Sequence, residues 1–328
     1  MSHTSSVLSA EAIRHSHSSV PPEFRDSPQF ASDGLSDRAG APIVVKVEAV
    51  NPIRSFKGRG TWLAVAELVR VRDVTAERGV ATVSTGNFGQ GVAYAARGLG
   101  VPAAIVVPEG ANARKLDTIR RLGGRIVEVA AGEDAEAALA DLVREGFTAL
   151  HDGHDDRIAI GAGSMALELT DGVGRAGLPP IEVAFVPIGD GSLIAGIGTW
   201  LRAHSPATRV VGVQVQSAPA MALSWRSGRV EVVPPEPSRA DGLASATGNA
   251  DLLPTLRRVV DDMVLVPEDG LLDAQRELHA VLGVTAEASA AASWSAAKSA
   301  SGTRARLVIV TGGNAWPGDF GELEAAAK

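Results

Sequence analysis

A chain of 328 residues, 45% of them hydrophobic, can bury a large core and is long enough for two lobes. Its 31 basic and 38 acidic side chains leave a net charge of −7 with no Lys/Arg-rich block, which argues against a nucleic-acid partner. The lack of cysteine excludes disulfides, iron–sulfur clusters, thiolate zinc sites and a cysteine nucleophile, and no apolar run approaches the ~20 residues of a membrane helix.

Residues 1–20, rich in Ser and His and without an apolar h-region, read as a flexible arm rather than a secretory signal. Val44 to Val47 then reads as a strand and Thr61 to Val71 as a helix. Between them Asn51-Pro52 introduces Ser55-Phe56-Lys57-Gly58-Arg59-Gly60, a lysine beside an aromatic ring at the mouth of the helix. A lysine buried between apolar and cationic neighbours has its charged form disfavoured, so its free amine is available to form a Schiff base with an aldehyde cofactor. Arg59 is expected to add repulsion, and Phe56 to pack on a flat heteroaromatic ring. Most lysines are solvated surface charges, so the motif needs partners elsewhere.

Val80 to Val83 is a second strand, followed by Ser84-Thr85-Gly86-Asn87-Phe88-Gly89-Gln90-Gly91 and a helix over Val92 to Leu99. Amides at such a helix start suit a carboxylate or phosphate, although a tight structural turn has the same signature. The alternation continues through Ala103–Val107, Ala113–Leu122, Arg125–Val129 and Asp134–Glu145. His151-Asp152-Gly153-His154-Asp155-Asp156 reads as a polar loop at a helix start in preference to a metal cluster.

Glu182 to Ile188 leads into Gly189-Asp190-Gly191-Ser192-Leu193-Ile194-Ala195-Gly196, whose glycines let a backbone wrap an anion. Ile194 stands where a dinucleotide fingerprint requires glycine, and no G-x-x-x-x-G-K-[ST] loop occurs. Pro234-Pro235-Glu236-Pro237 marks a surface loop and Asp251 to Pro254 a turn. The last strand, Ala305 to Val310, ends in Thr311-Gly312-Gly313-Asn314, placing Thr311 at the carboxyl end of a strand, where open α/β sheets bind ligands. Strands alternating with helices imply βαβ units, mainly parallel sheets and an α/β fold.

These four motifs resemble, in the same order across about the whole chain, those of fold type II pyridoxal-phosphate enzymes of the serine/threonine dehydratase group, which is related to serine racemase and threonine synthase. Residues 151–156, 161–168, 240–242 and 285–291 add further similarity. The resemblance implies a tryptophan synthase β-like fold with two open parallel-sheet lobes and the active site between them. A large lobe of residues 21–78 and 153–328 would face a small mobile lobe of residues 79–152.

It also implies pyridoxal 5'-phosphate as cofactor, with Lys57 as the Schiff-base lysine and Phe56 against the ring. Asn87 would meet the phenolic oxygen, and Gly189, Asp190, Gly191, Ser192 and Leu193 the phosphate. Thr311 would face the pyridine nitrogen, and Ser84, Thr85 and Gly86 would hold the substrate carboxylate, with Phe88 and Gly153 shaping the pocket. The implied partner is a small amino acid, and the implied state a cytoplasmic homodimer. A neutral hydroxyl at the pyridine nitrogen leaves the ring largely unprotonated and the electron sink shallow, which fits β-elimination better than transamination.

The expected reaction is therefore dehydration and deamination of a β-hydroxy L-amino acid, such as threonine or serine, to a 2-oxo acid and ammonia. The alternatives are a β-replacement synthase, a racemase, a threonine synthase, or a catalytically silent cofactor-binding protein. Several departures from the family pattern bear on this. Phe88 stands where many members have histidine and Gly153 where they have a bulkier residue, so a gain in bulk on one side and a void on the other imply a reshaped pocket, or drift. Asp190 in the phosphate loop would repel the phosphate unless its carboxylate caps amides and points away. Gln214 and Ala220 replace the carboxylates with which related enzymes bind a divalent cation, so no metal is expected. With only 14 residues after Asn314, no amino-acid-sensing domain is expected.

Overall fold

Short runs of Val, Ile and Ala between glycine-rich turns suit a pleated surface covered on both faces, and here they pair into two open sheets. The computed structural model describes residues 7–84, 86–130, 132–172, 177–316 and 318–320. Its strands are β1 (Gln29–Ala31), β2 (Ile43–Val47), β3 (Val80–Val83), β4 (Ala103–Pro108), β5 (Arg125–Val129), β6 (Thr148–Ala149), β7 (Val183–Pro187), β8 (Arg209–Val215), β9 (Asp262–Val266) and β10 (Arg306–Val310). One sheet runs β1-β2-β10-β7-β8-β9 and the other β5-β4-β3-β6. Every pairing among these strands is parallel except β1 with β2. No helix among the described residues is long and apolar enough to cross a membrane.

Strand order decides where chemistry can occur. β10 lies between β2 and β7, and its register pairs Val310 with Val47. Three loops that follow these strands, at Glu48–Phe56, Thr311–Asn314 and Gly189–Ser192, consequently leave one edge of the sheet side by side. Glu48 N donates to Val310 O at 2.8 Å and Phe56 N to Thr311 O at 3.0 Å, which ties the lysine loop to the strand-end threonine.

Helix Asp156–Gly172 lies between helix Lys57–Arg70 and helix Ser192–His204, and glycines allow its approach to both. A Cβ on Gly161 would lie 2.5 Å from Gly60 Cα, and one on Gly196 would run into Ala159 O and lie 2.7 Å from Gly163 N. Backbone cannot yield to such a methyl. Gly196→Ala should therefore lower stability by ~1–3 kcal/mol or more through displacement of a packed helix, read as a lower urea midpoint with unchanged slope. A loss under ~0.5 kcal/mol would show that the two helices part freely.

The sequence reveals only the start of this central helix, at the polar loop 151–156, because the rest is buried almost all round and its glycines blur a 3.6-residue period. Helix Ala288–Ser299 escapes notice for the same reason, being mostly Ala and Ser and almost wholly buried. The proposed arm also departs from expectation. Residues 10–17 form a helix, N-capped by Ser9 Oγ accepting from Ala12 N at 3.1 Å, and Ile13 is fully buried against the central helix. A single apolar anchor in eight residues gives no periodic signal. Residues 1–6 of that arm lie outside the described residues.

Candidate active site

Lys57 opens its helix from a loop that Asn51 holds in shape. Asn51 Oδ1 accepts from Ile53 N at 3.2 Å and Ser55 N at 3.1 Å, while its Nδ2 donates to Glu48 O and Ser55 O at 2.8 and 3.0 Å. Lys57 Nζ projects between two aromatic rings, 5.1 Å from the Phe56 centroid and 5.7 Å from that of Phe88. It donates to Asp152 Oδ2 at 2.6 Å and to Asp190 Oδ2 at 2.7 Å. Burial alone would lower the Lys57 pKa, but these two carboxylates outweigh it and hold the ammonium above its ordinary range.

This corrects the expectation of an amine freed by burial and cationic repulsion. Arg59 points away from Lys57 into a fully buried network, bonding Glu48 at 2.9 Å through Nε and Nη2 and Glu168 at 2.6 Å through Nη1. Its charge is neutralised there, and it anchors the lysine helix.

The two carboxylates differ. Asp190 Oδ1 also accepts from Ser192 N at 2.6 Å, so both its oxygens are bonded. Burial by itself raises its pKa, but Lys57 and the Ser192 amide reverse that and take it down to about 2. Asp152 has no such amide: burial first, and the neighbouring Asp190 second, push it up to about 7 against the pull of Lys57. The pair titrates as a unit, with Asp152 protonated first because it has fewer donors. Asp190 thus caps an amide as its position demands, but turns its other oxygen toward Lys57 instead of away.

The glycine loop after β7 has the form of an anion cradle. Gly191 has φ +100°, a left-handed conformation that favours glycine, and Ser192 begins a 13-residue helix. A Cβ on Gly189 would collide with Gly242 O, and Ser192 Oγ is buried without a hydrogen-bond partner. Leu193 is buried beneath the loop and Thr311 is buried at the end of β10. An unpartnered hydroxyl at a helix N-terminus beside an aromatic-walled lysine fits pyridoxal phosphate. Lys57 and Phe56 would hold its aldehyde and ring, and Gly189 to Leu193 its phosphate.

Asn87 is tied on both sides of the cleft. Its Nδ2 donates to both Glu287 oxygens at 2.8 and 3.0 Å, and its Oδ1 accepts from Asn314 Nδ2 at 2.9 Å. Ser84 Oγ accepts from Gly86 N at 3.2 Å and Gly89 N at 2.9 Å, shaping the loop expected to hold a carboxylate. Thr85 lies outside the described residues. Phe88 is buried against the site. Gly153 corrects a second expectation: it has φ +80°, and a Cβ there would lie 2.6 Å from Asn249 Nδ2 and 3.1 Å from Asp190 Cβ. There is no void for Phe88 to offset; the turn needs glycine.

Three participants were not foreseen. Asp152 and Glu287 gain their roles only from partners distant in sequence. Lys115 is buried, bonds Asp241 Oδ2 at 2.7 Å, and lies 3.2 Å from where a Gly86 Cβ would stand. It left a signal, since it shares the apolar face with Ile119 and Leu122 at i, i+4 and i+7. At the position expected to have lost a metal, Gln214 Oε1 accepts from Ala222 N at 3.0 Å and Ala220 is buried.

The model of the family described as "Pyridoxal-phosphate dependent enzyme" matches residues 20–312. The L-threonine ammonia-lyase of Thermotoga maritima is 34% identical over 287 residues, covering 86% of this chain and 70% of its own. The serine racemase of Arabidopsis thaliana is 31% identical over 282 residues, covering 85% of this chain and 82% of its own. Among solved structures, maize serine racemase superposes with TM-score 0.88 at 28% identity over 98% of both chains, and the T.th. threonine deaminase with 0.84 at 30% over 93% of this chain and 98% of that one. With the lysine, the anion cradle and the strand-end threonine at one sheet edge, and nearly the whole chain matched, this protein belongs to the pyridoxal-phosphate-dependent enzymes of fold type II, in the serine/threonine dehydratase and racemase group.

Proposed function

We propose that the protein is an ammonia-lyase that eliminates the β-hydroxyl of serine or threonine, yielding a 2-oxo acid and ammonia. The observation that carries this reading is the neutral Thr311 hydroxyl, buried at the end of β10 with its carbonyl fixed by Phe56 N. Glu287, which packs against Gly312, gives both oxygens to Asn87. The bound cofactor supplies an electron sink conjugated to Cα. The Ser84–Gly86 loop holds the substrate carboxylate, Phe56 and Phe88 exclude water, and Lys57, which would be released as a free amine when the substrate's amino group takes its place on the cofactor, takes the Cα proton. With a shallow sink, loss of that proton is best coupled to prompt departure of the β-substituent. The similarity to L-threonine ammonia-lyase supports the same reaction.

The racemase reading is supported by the serine racemase relatives at about the same identity. One screen separates them: serine, threonine and other β-substituted amino acids are incubated with the holoenzyme, with and without added nucleophiles. Equal yields of 2-oxo acid and ammonia are expected. D-serine without ammonia would replace the proposal with racemisation, nucleophile-dependent adducts with a synthase, and no amino-acid-induced spectral change with a silent protein. The cytoplasmic homodimer implied by the resemblance belongs to the same proposal, and sedimentation would read its mass.

Thr311→Asp should favour a protonated pyridine nitrogen and raise transamination relative to elimination; clean elimination with no new long-wavelength absorbance would show that the hydroxyl does not set the sink. Since Gln214 is used internally, prolonged chelation should change kcat by less than about twofold, under ~0.5 kcal/mol in barrier. Loss restored by Mg²⁺ or Ca²⁺ would establish a metal requirement.

A further inference from the structure

We propose that Asp152 is a second catalytic residue of this site, the acid that gives a proton to the departing β-hydroxyl. The inference rests on the elimination reading. Of the two carboxylates on Lys57, Asp190 has both oxygens engaged, by Lys57 and by the Ser192 amide. Asp152 spends only Oδ2 on Lys57, at 2.6 Å; its Oδ1 is buried and has no hydrogen-bond partner. An unsatisfied buried oxygen beside the group that takes the Cα proton has the position required for a proton at the next atoms of the substrate.

The turn that carries Asp152 is held on both sides. Leu150 N donates to Ala81 O at 2.8 Å, and Asn249 Nδ2 donates to Gly153 O at 2.9 Å. Gly153, at φ +80°, leaves no room for a side chain between Asn249 and Asp190, so the turn keeps its shape only with glycine there. Burial and Asp190 keep Asp152 the easier of the two to protonate, which supports a donor role at neutral pH.

In this step the Cα–H bond breaks and its proton goes to Lys57 Nζ; the electron pair left on Cα forms the Cα=Cβ bond. The Cβ–O bond breaks, its electron pair stays with oxygen, and the Asp152 carboxyl proton joins it, releasing water. Asp152, now a carboxylate, regains a proton from solvent, and Lys57 gives its proton up to solvent as it rejoins the cofactor, so both groups return to their starting states with no net change in protons. Nothing is oxidised or reduced, and no co-reactant is needed.

The test varies the leaving group. Wild type, Asp152→Asn and Asp152→Ala are loaded with cofactor and compared on L-serine, whose hydroxide needs a proton, and β-chloro-L-alanine, whose chloride does not. The visible cofactor band and thermal midpoint first establish that each variant folds and binds. On serine, kcat should fall by ~10²–10⁴-fold in both variants, against less than about tenfold on chloroalanine. In D₂O, deuterium entry at Cα of unreacted serine, followed by NMR, should rise at least about tenfold relative to product in Asp152→Asn, because proton removal outlives a blocked departure. Equal losses on the two substrates, or unchanged serine turnover, would overturn the acid role. Wild-type enzyme that turns over chloroalanine but no β-hydroxy amino acid would instead overturn the proposed function, and the acid role with it.

Discussion

Lys57→Ala should yield a folded protein without a visible cofactor band and with turnover reduced by at least ~10⁴-fold. One substitution removes both the covalent anchor and the base, and the other buried lysines among the described residues are engaged elsewhere: Lys115 is committed to Asp241 and Lys46 to Glu168. The substitution also leaves Asp152 and Asp190 facing each other without the ammonium that both now contact. One carboxylate must then take up a proton, so the variant's stability relative to wild type should improve as pH falls from 7 toward 5. Absorbance and urea unfolding at both pH values check the two halves separately. An unchanged visible band after the substitution would refute the assignment of Lys57.

The largest expected loss of stability lies beneath the site. Glu168 accepts from Arg59 Nη1 at 2.6 Å and Nη2 at 2.9 Å and from Lys46 Nζ at 2.6 Å, all with little or no solvent exposure. Glu168→Ala would strand Lys46 and half-strand Arg59 in the interior, at a cost of ~3–5 kcal/mol. Burial alone would raise the Glu168 pKa, but His17, Arg59 and Lys46 together hold it well below the usual carboxylate range. A depressed folded pKa means stability that is present above the unfolded value of 4.5 and is lost as pH falls toward the folded one. Wild type should therefore weaken steeply in acid below about pH 4.5, and Glu168→Ala, already without that contribution, less steeply. Urea midpoints from pH 7 to 3 would show this. A loss under ~1 kcal/mol at pH 7, or parallel acid limbs, would mean that the network contributes little to holding the helix that starts at Lys57.

The metal-like grouping of His17, Asp26 and Glu168 among the described residues belongs to the same network. Its ligand atoms lie within 4.8 Å of one another, but Glu168 is already taken by two cations. That arrangement explains why a lysine can sit fully buried in β2, a strand position where an unpaired charge would be prohibitive.

What the amino-acid order determined by itself is local. A β-branched run, a glycine turn and a helical pattern are contiguous, so β3 with Ser84–Gly91, β7 with Gly189–Gly196 and β10 with Thr311–Asn314 could be read directly, as could Lys57 at a helix mouth. Tertiary structure alone decided how those parts are charged and filled. Asp152 and Asp190 meet Lys57 across 95 and 133 residues, Lys115 meets Asp241 across 126, and Asn87 meets Glu287 across 200. No periodicity within a window of a dozen residues records such pairings. Burial and partners set the charge of Lys57, reversing an expectation drawn from its sequence neighbour Arg59, which folds to the other side of the helix. The space at Gly153 was likewise invisible, because Asn249 and Asp190 fill it from elsewhere in the chain. Local backbone preference is written in adjacent residues; electrostatics and packing are properties of whatever the fold brings within a few ångströms.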